Sequence, residues 1–258
     1  MSEHDLLALE SYQLLPRVLH DVHEVDSSLE LLGRALDSPI LPLLTAGVSQ
    51  LETLSLLAAD AVLAQGDSFH FERAVPLLEP QKMGELMPKM RKLAARHVPA
   101  IALDLSLLAE SAPFGLQPWK PKTREDLAEL AAAAGCPLWI YGIASPADAE
   151  IAAEAGLDAI VVYSGAGDYL GGPATIEILP EIVDAVAGMT AIYAGGPVRS
   201  GIDVFRYLAV GAEAVVVDSD RALTNLGAEL HYAMRLTACE TLTDISYDAI
   251  FAPLFGEL

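Results

Sequence analysis

Four short apolar runs between Leu138 and Asp220 constrain this chain more than anything else in it: LWIYGIAS, AIVVYSG, TAIYAGG and EAVVVDSD. Each is rich in Ile, Val and Tyr, too short for a helix, and bounded by Gly or Ser. That is the pattern of a strand buried on both faces of a parallel sheet. Between the runs lie alanine-rich segments of helical period, such as PADAEIAAEAGLD and GIDVFRYLAVGAE. Alternating strand and helix calls for right-handed crossovers. In such folds ligands meet the C-terminal ends of the strands. The residues that matter therefore follow each run: Tyr141, Tyr163 to Asp168, Ala194 to Arg199, and Asp218 to Asp220.

The length of 258 residues matches the roughly 250 of one (β/α)8 barrel. A single domain over 1–258 is expected, with a lead-in segment and barrel floor at 1–38, the barrel at 39–246 and a tail at 247–258. Hydrophobic residues make up 53% and charged ones 20%, which argues against disorder. The net charge of −21 disfavours nucleic acid and anionic membrane, both of which are negative. Cys136 and Cys239 sit in apolar, alanine-rich settings and read as buried small hydrophobes, not as a disulfide or metal site. The opening MSEHDLLALESYQ is acidic where a leader peptide needs base, and no apolar run reaches the ~18 residues of a membrane span. A cytoplasmic protein is expected.

In chain order, a short leading helix or a frayed end is expected at 1–10. A small hairpin within 11–38 would close the barrel floor, and PILPLLTA at 39–46 would be the first barrel strand. A helix at 51–60, a second strand at 61–64 and a third at 69–72 follow. The segment 81–97 reads as a helix carrying most of the few positive charges. A fourth strand runs from 99 to 103, and 105–121 reads as a loop with Trp119 against the barrel wall. Thr123 with Asp126 three residues on forms the start signal of a helix, which Gly135 ends. A last helix follows Asp220.

These residues resemble a known family. LLPRVLHDVHEVDSSLELLGRALDSPI, GGPATIEILPEIVDAV, AGGPVRSGIDVFRYLAVGAEAV and ELHYAMRLTAC are similar, in order, to segments of the FMN-dependent α-hydroxy-acid oxidases and dehydrogenases, which include glycolate and lactate oxidases. The resemblance implies an α/β TIM barrel, a flavin mononucleotide (FMN) cofactor, oxidation of a 2-hydroxy acid, and a homo-oligomer, commonly a tetramer. The family's N-terminal helical region has no counterpart here, and the stretch from Leu108 to Thr123 is too short for its active-site lid.

Carried over position by position, the family's chemistry meets departures. Its base is a histidine after the sixth strand, in a motif S-N-H-G-G-R. That position falls on Gly165, and the carboxylate-clamping arginine falls on Asp168. A glycine cannot titrate, and an aspartate repels a carboxylate. The fifth-strand lysine that holds the flavin is Tyr141. The aspartate opening its D-G-G motif is Ala194, and the Gly-Arg pair for the flavin phosphate is Asp218-Ser219-Asp220. Thr45, Ala46, Gly195, Gly196 and Arg199 retain a likeness to flavin-contacting positions, although an inserted Pro197 shifts Arg199 by one.

Histidine is the usual base near neutral pH, but none occurs from Val98 to Leu230. His70, near the expected third strand, is the remaining candidate. Glu72, Asp104, Tyr141, Tyr163, Asp168, Asp218 and Asp220 are all placed to face the barrel mouth. They form either an acidic pocket for a cation, sugar or amine or solvated loop and capping residues. No metal-ligand spacing is present among them. Two readings follow: a diverged, non-catalytic barrel with FMN weakened or lost, serving a protein partner or a structural role; and an FMN-dependent oxidoreductase of altered chemistry.

Overall fold

The computed structural model describes residues 3–44, 62–65, 74–110, 120–165, 171–218 and 223–252. Helix α1 (Glu3–Ser11) is followed by β1 (Gln13–Leu14) and a hairpin of β2 (Leu29–Leu31) and β3 (Arg34–Leu36). The barrel strands are β4 (Ile40–Leu44), β5 (Val62–Gln65), β6 (Ala74–Leu78), β7 (Ile101–Asp104), β8 (Leu138–Ile143), β9 (Ala159–Val162), β10 (Ala191–Gly195) and β11 (Ala214–Asp218). They close in chain order, with β11 parallel to β4. Between them lie α2 (Met83–Ala94), α3 (Ser106–Glu110), α4 (Arg124–Ala134), α5 (Pro146–Glu154), α6 (Thr175–Val186) and α7 (Gly201–Ala209). Helix α8 (Leu223–Thr237) ends the barrel, and β12 (Ile250–Phe251) pairs antiparallel with β1.

Strand alternation sorts the side chains into two cores. Inward residues Leu41, Leu43, Val75, Leu77, Ala100, Ala102, Trp139, Tyr141, Ala159, Val161, Tyr193, Ala214 and Val216 fill the barrel. Their outward neighbours, such as Ile101, Leu103, Leu138, Ile140 and Ile160, pack under the helices. Leu31 and Leu36 of the hairpin join the inner cluster, so the hairpin closes the N-terminal end as expected. Trp139 and Tyr193 meet edge-on at 5.1 Å, a contact worth about 0.5–1.5 kcal/mol beyond burial.

Local sequence chemistry sets the helix ends. Thr123 and Asp126 form a reciprocal capping box, and Gly135 closes α4 in the left-handed conformation. Ser145 caps α5, with Pro146 at its first position, where the missing N–H costs nothing.

Two expectations need correction. The third barrel strand is Ala74–Leu78; residues 69–72 lie outside the described ones, as do the expected helix at 51–60 and Trp119. The strand AVPLL carries Pro76, a residue that weighs against a central strand. Yet Pro76 is in register only with Ala64, and pairing to β7 starts at Leu77, so its missing donor leaves the β7 ladder intact. The segment after Asp104 is not all loop: Ser106–Glu110 is helical, because the Asp104 carboxylate accepts the Ser106 N–H at 3.0 Å and turns the chain. Among the described residues no helix is long and apolar enough to cross a membrane.

Candidate functional site

The C-terminal ends of β7 to β11 gather most of the described candidates. Asp104 and Tyr141 are register partners on β7 and β8. Asp104 is buried and accepts from both the backbone and the hydroxyl of Ser106. A bulge interrupts β8 between Tyr141 and Ile143. Its Gly142 has φ +97°, and a Cβ there would overlap the Ser106 backbone. The Leu105 N–H donates to the Tyr141 carbonyl at 2.8 Å. Bulge and glycine thus lock the start of α3 onto the end of β8, a common use of bulges beside sites.

Tyr141 is only 6% exposed. Its ring lies 5.1 Å from that of Tyr163, tilted by 37°. Its hydroxyl is 3.2 Å from where a Cβ on Gly195 would stand. The Tyr163 ring folds over Gly165 so closely that any Cβ there would overlap it. Beneath, the Ser164 N–H donates to Thr175 Oγ1 at 3.0 Å, and that hydroxyl donates to Ser164 Oγ at 3.1 Å. Gly196, at φ +154°, brings the chain against Tyr207, whose hydroxyl would be 2.6 Å from an added Cβ. Burial, with Asp5 and Asp203 nearby, pushes the Tyr207 phenol far above its usual range.

Arg199 lies on the loop between β10 and α7. Its Nη1 donates to Glu10 at 2.6 Å and its Nε to Asp203 at 3.2 Å, while its backbone N–H donates to the same Asp203 carboxylate at 2.8 Å. These bonds hold the guanidinium more firmly protonated than usual. Asp203 is 1% exposed and also receives Arg206 at 2.7 Å. Arg206 in turn donates to the Tyr12 carbonyl. Of the other candidates, Gly195 ends β10 and Asp218 ends β11. Thr45, Ala46, His70, Glu72, Asp168 and Asp220 lie outside the described residues.

His4 approaches Glu177 at 3.6 Å, His97 follows the C-terminal end of α2, and His231 bonds Ser27. Among the described residues no group of three or more His, Cys, Asp or Glu is placed to hold a metal. Both cysteines are free thiols. Glu10, Asp203, Tyr207 and Ser106 escaped notice in the sequence. Ser200-x-x-Asp203 carries the spacing of a helix start, a signal that points to Asp203 alone.

Fold and rim together define a parallel (β/α)8 barrel whose candidate residues cluster at the C-terminal strand ends. A model of the FMN-dependent dehydrogenase family matches residues 89–252, and the chain belongs to that family, whose cofactor is FMN. An L-lactate oxidase of Roseobacter sp. (strain GAI101) is 38% identical over 143 residues, spanning 50% of this chain and 39% of that relative. An L-lactate oxidase of Alicycliphilus denitrificans is 27% identical over 316 aligned residues, 94% of this chain and 86% of the relative. Among solved structures, a Pediococcus acidilactici lactate oxidase superposes with a TM-score of 0.84 at 19% identity, covering 98% of this chain and 86% of that one. A mandelate oxidase variant with a monooxide FMN adduct does so at 0.80 and 24%, covering 98% and 93%. At these identities the structural likeness concerns the fold.

Proposed function

We propose that this chain is a diverged, non-catalytic member of the FMN-dependent hydroxy-acid oxidoreductases, acting as a binding or structural partner. The observation that carries the reading is the Tyr141–Tyr163 pair. The two rings occupy the space beside the position where the family keeps its histidine, and Gly165 at that position is covered by Tyr163. A base with a pKa near neutrality is what hydroxy-acid oxidation needs, and neither glycine nor an aromatic stack supplies one.

The described residues also fit the flavin phosphate poorly. Arg199 is the cation left over from the phosphate loop, and Glu10 and Asp203 already neutralise it. A phosphate at that loop would have to displace a buried carboxylate or share the space with it, and like charges at close range repel strongly in a partly buried site. The protein is proposed to be cytoplasmic and a homo-oligomer.

The test is FMN titration of the purified protein, followed by fluorescence quenching, with lactate, glycolate and mandelate then added anaerobically. The expected result is a colourless preparation, no saturable quenching at micromolar FMN and no flavin bleaching. A yellow preparation whose colour fades with a hydroxy acid overturns the proposal.

The family match and the L-lactate oxidases favour a second reading, an FMN-dependent oxidoreductase of altered chemistry. Tyr141 or Tyr163 would then donate the proton and Arg199, released from Glu10, would meet the phosphate. Bleaching that disappears in Tyr163→Phe would support it.

A further inference from the structure

Cations are scarce in this chain and unevenly spread. Of its 15 Lys and Arg, eight fall between Lys82 and Arg124, against three Asp or Glu there. From Glu125 to Val198 there are eleven Asp or Glu and no Lys, Arg or His. The fold keeps the two stretches apart: α2 packs against α4, and α5 and α6 follow further round the barrel.

Helix α2 gathers its cations on the outer side. Lys82, Lys89, Lys92 and Arg96 follow at spacings of seven, three and four residues, so they share one flank. Glu85 is the one carboxylate among them. Arg91 is exposed on the opposite flank, and between the two lies a low ridge of exposed Gly84, Pro88 and Ala95. A Cβ on Gly84 would meet nothing within 4 Å. Glycine and proline both weaken a helix interior, and here they leave the outer face low enough for another backbone to come close.

The start of α4 extends the basic surface. The Lys120 N–H donates to the Pro80 carbonyl at 3.0 Å, and Lys122 Nζ donates to the same carbonyl at 3.3 Å. These bonds hold residues 120–122 beside the start of α2. Lys82, Lys89, Arg91, Lys92 and Lys120 enter no ion pair among the described residues. A chain with 36 Asp and Glu does not lack counter-charges, so five cations without one mark a surface whose complement lies outside the molecule.

We propose that the outer face of α2, with Lys120, is a docking surface for an acidic α-helix of a different protein. Size and sign select that occupant. From Lys82 to Arg96 the face runs about 20 Å, and a single helix ~10 Å wide covers it without reaching α5 and α6. Carboxylates three and four residues apart on such a helix repeat at the spacing of the α2 cations. A nucleic-acid duplex, with one charge per ~1.7 Å, or an anionic bilayer is broad enough to meet the exposed Glu125, Glu129, Glu150 and Glu154 as well. Helix α2 also carries no aromatic side chain on which a base could stack. A second copy would bring a charge of −21 with it, whereas an acidic helix carries its charge only where the cations are. At ~0.15 M salt the screening length is ~8 Å, so a docked helix feels the α2 cations and little of the far wall. The surface lies outside the barrel, so the inference is independent of the reading of its mouth.

The test uses the full chain and a fluorescein-labelled peptide of about 14 residues, the length that ~20 Å of helix holds. Its glutamates stand at i, i+3, i+4 and i+7 on one face, with alanine elsewhere. A scrambled peptide of the same composition is the comparison, and fluorescence anisotropy is the readout. The one-faced peptide should bind saturably at ~0.15 M salt, more tightly than the scrambled one, and be released at ~1 M, where screening falls to ~3 Å. Lys89→Gln/Arg91→Gln/Lys92→Gln should lose about tenfold in affinity. Arg235→Gln, exposed on α8, should leave binding unchanged. Circular dichroism checks folding, and Lys82→Gln/Lys120→Gln takes the place of a triple variant that does not fold. Absence of binding overturns the proposal, as do equal binding of the two peptides and a triple variant that binds like wild type. A heparin fragment or phosphatidylserine vesicles held more tightly than the peptide overturn it in favour of nucleic acid or membrane. Self-association that the triple variant dissolves and the peptide cannot displace overturns it in favour of a second copy.

Discussion

Gly195 and Tyr141 meet across the C-terminal end of the barrel: a Cβ on Gly195 would stand 3.2 Å from the Tyr141 hydroxyl and 3.4 Å from Val161 Cγ1. The tyrosine therefore crowds the room that a side chain on β10 would take, and one of the two must shift by a few tenths of an ångström to admit it. Gly195→Ala is expected to cost about 1–3 kcal/mol, the usual range for overpacking. Combined with Tyr141→Phe, which removes the nearest atom, the loss should fall short of the sum by at least about 0.5 kcal/mol. Urea midpoints of the two single variants and the double variant measure this. Strict additivity would show that the two residues do not press on each other.

Gly142 should be the least replaceable glycine at the rim. Its φ of +97° and its contact with the Ser106 backbone impose two separate penalties on any side chain. Gly142→Ala is expected to lose roughly 3 kcal/mol or more, because the colliding atoms are backbone and cannot swing aside. Thermal melting checks this; a drop as small as that of an exposed Gly84→Ala would contradict it.

The two carboxylates on Arg199 should differ sharply. Asp203 is buried between Arg199 and Arg206, whereas the Arg199–Glu10 pair has side chains 33% and 52% exposed. Asp203→Asn removes the charge that balances two guanidinium groups and should cost about 3–5 kcal/mol. Glu10→Gln should cost less than about 1 kcal/mol. Guanidinium chloride unfolding of both variants gives the comparison, and equal losses would contradict the assigned burial.

Stability should fall at both ends of the pH scale. At the alkaline end, burial raises the phenols of Tyr12, Tyr193 and Tyr207. A raised acid favours the folded state below the unfolded pKa, near 10, and loses that advantage as pH climbs toward the folded value. Tyrosinate absorbance for these three should appear only as the chain unfolds. At the acid end, the Thr241 N–H lowers the Asp244 carboxyl, with the Thr241 hydroxyl and the Glu240 N–H assisting. Its contribution is present above about pH 4 and disappears as pH drops through the lower folded value. Asp244→Asn should flatten the acid limb of stability against pH; an unchanged limb would remove Asp244 from the account.

The barrel was legible because its strands announce themselves. Runs such as AIVVYSG have no amphipathic face, so burial on both sides was the only outlet. The capping pair Thr123–Asp126 and Gly135 fixed α4 to the residue. The third strand was expected at 69–72 and is Ala74–Leu78, and the register with β5 and β7 shows how Pro76 is tolerated within it. Helix α3 was missed because five residues offer no periodicity, and its cause, Asp104 accepting from Ser106, is a side-chain contact.

At the rim, the sequence pointed to the strand ends that carry Asp104, Tyr141 and Gly195, but not to how the side chains there pack. That Tyr163 lies over Gly165, and that Glu10 reaches Arg199 from 189 residues away, depends on tertiary packing. Local sequence carries no record of it.

The ribbon of β1 and β12 has a mechanical consequence. Gln13 pairs with Phe251 and Leu14 with Ile250, so the chain arrives at Gln13 and leaves from Phe251 on the same side of the ladder. Tension applied beyond those two residues peels this ladder open bond by bond instead of shearing it. The ribbon should therefore yield at low force, and only afterwards would the pull reach β4 and β11.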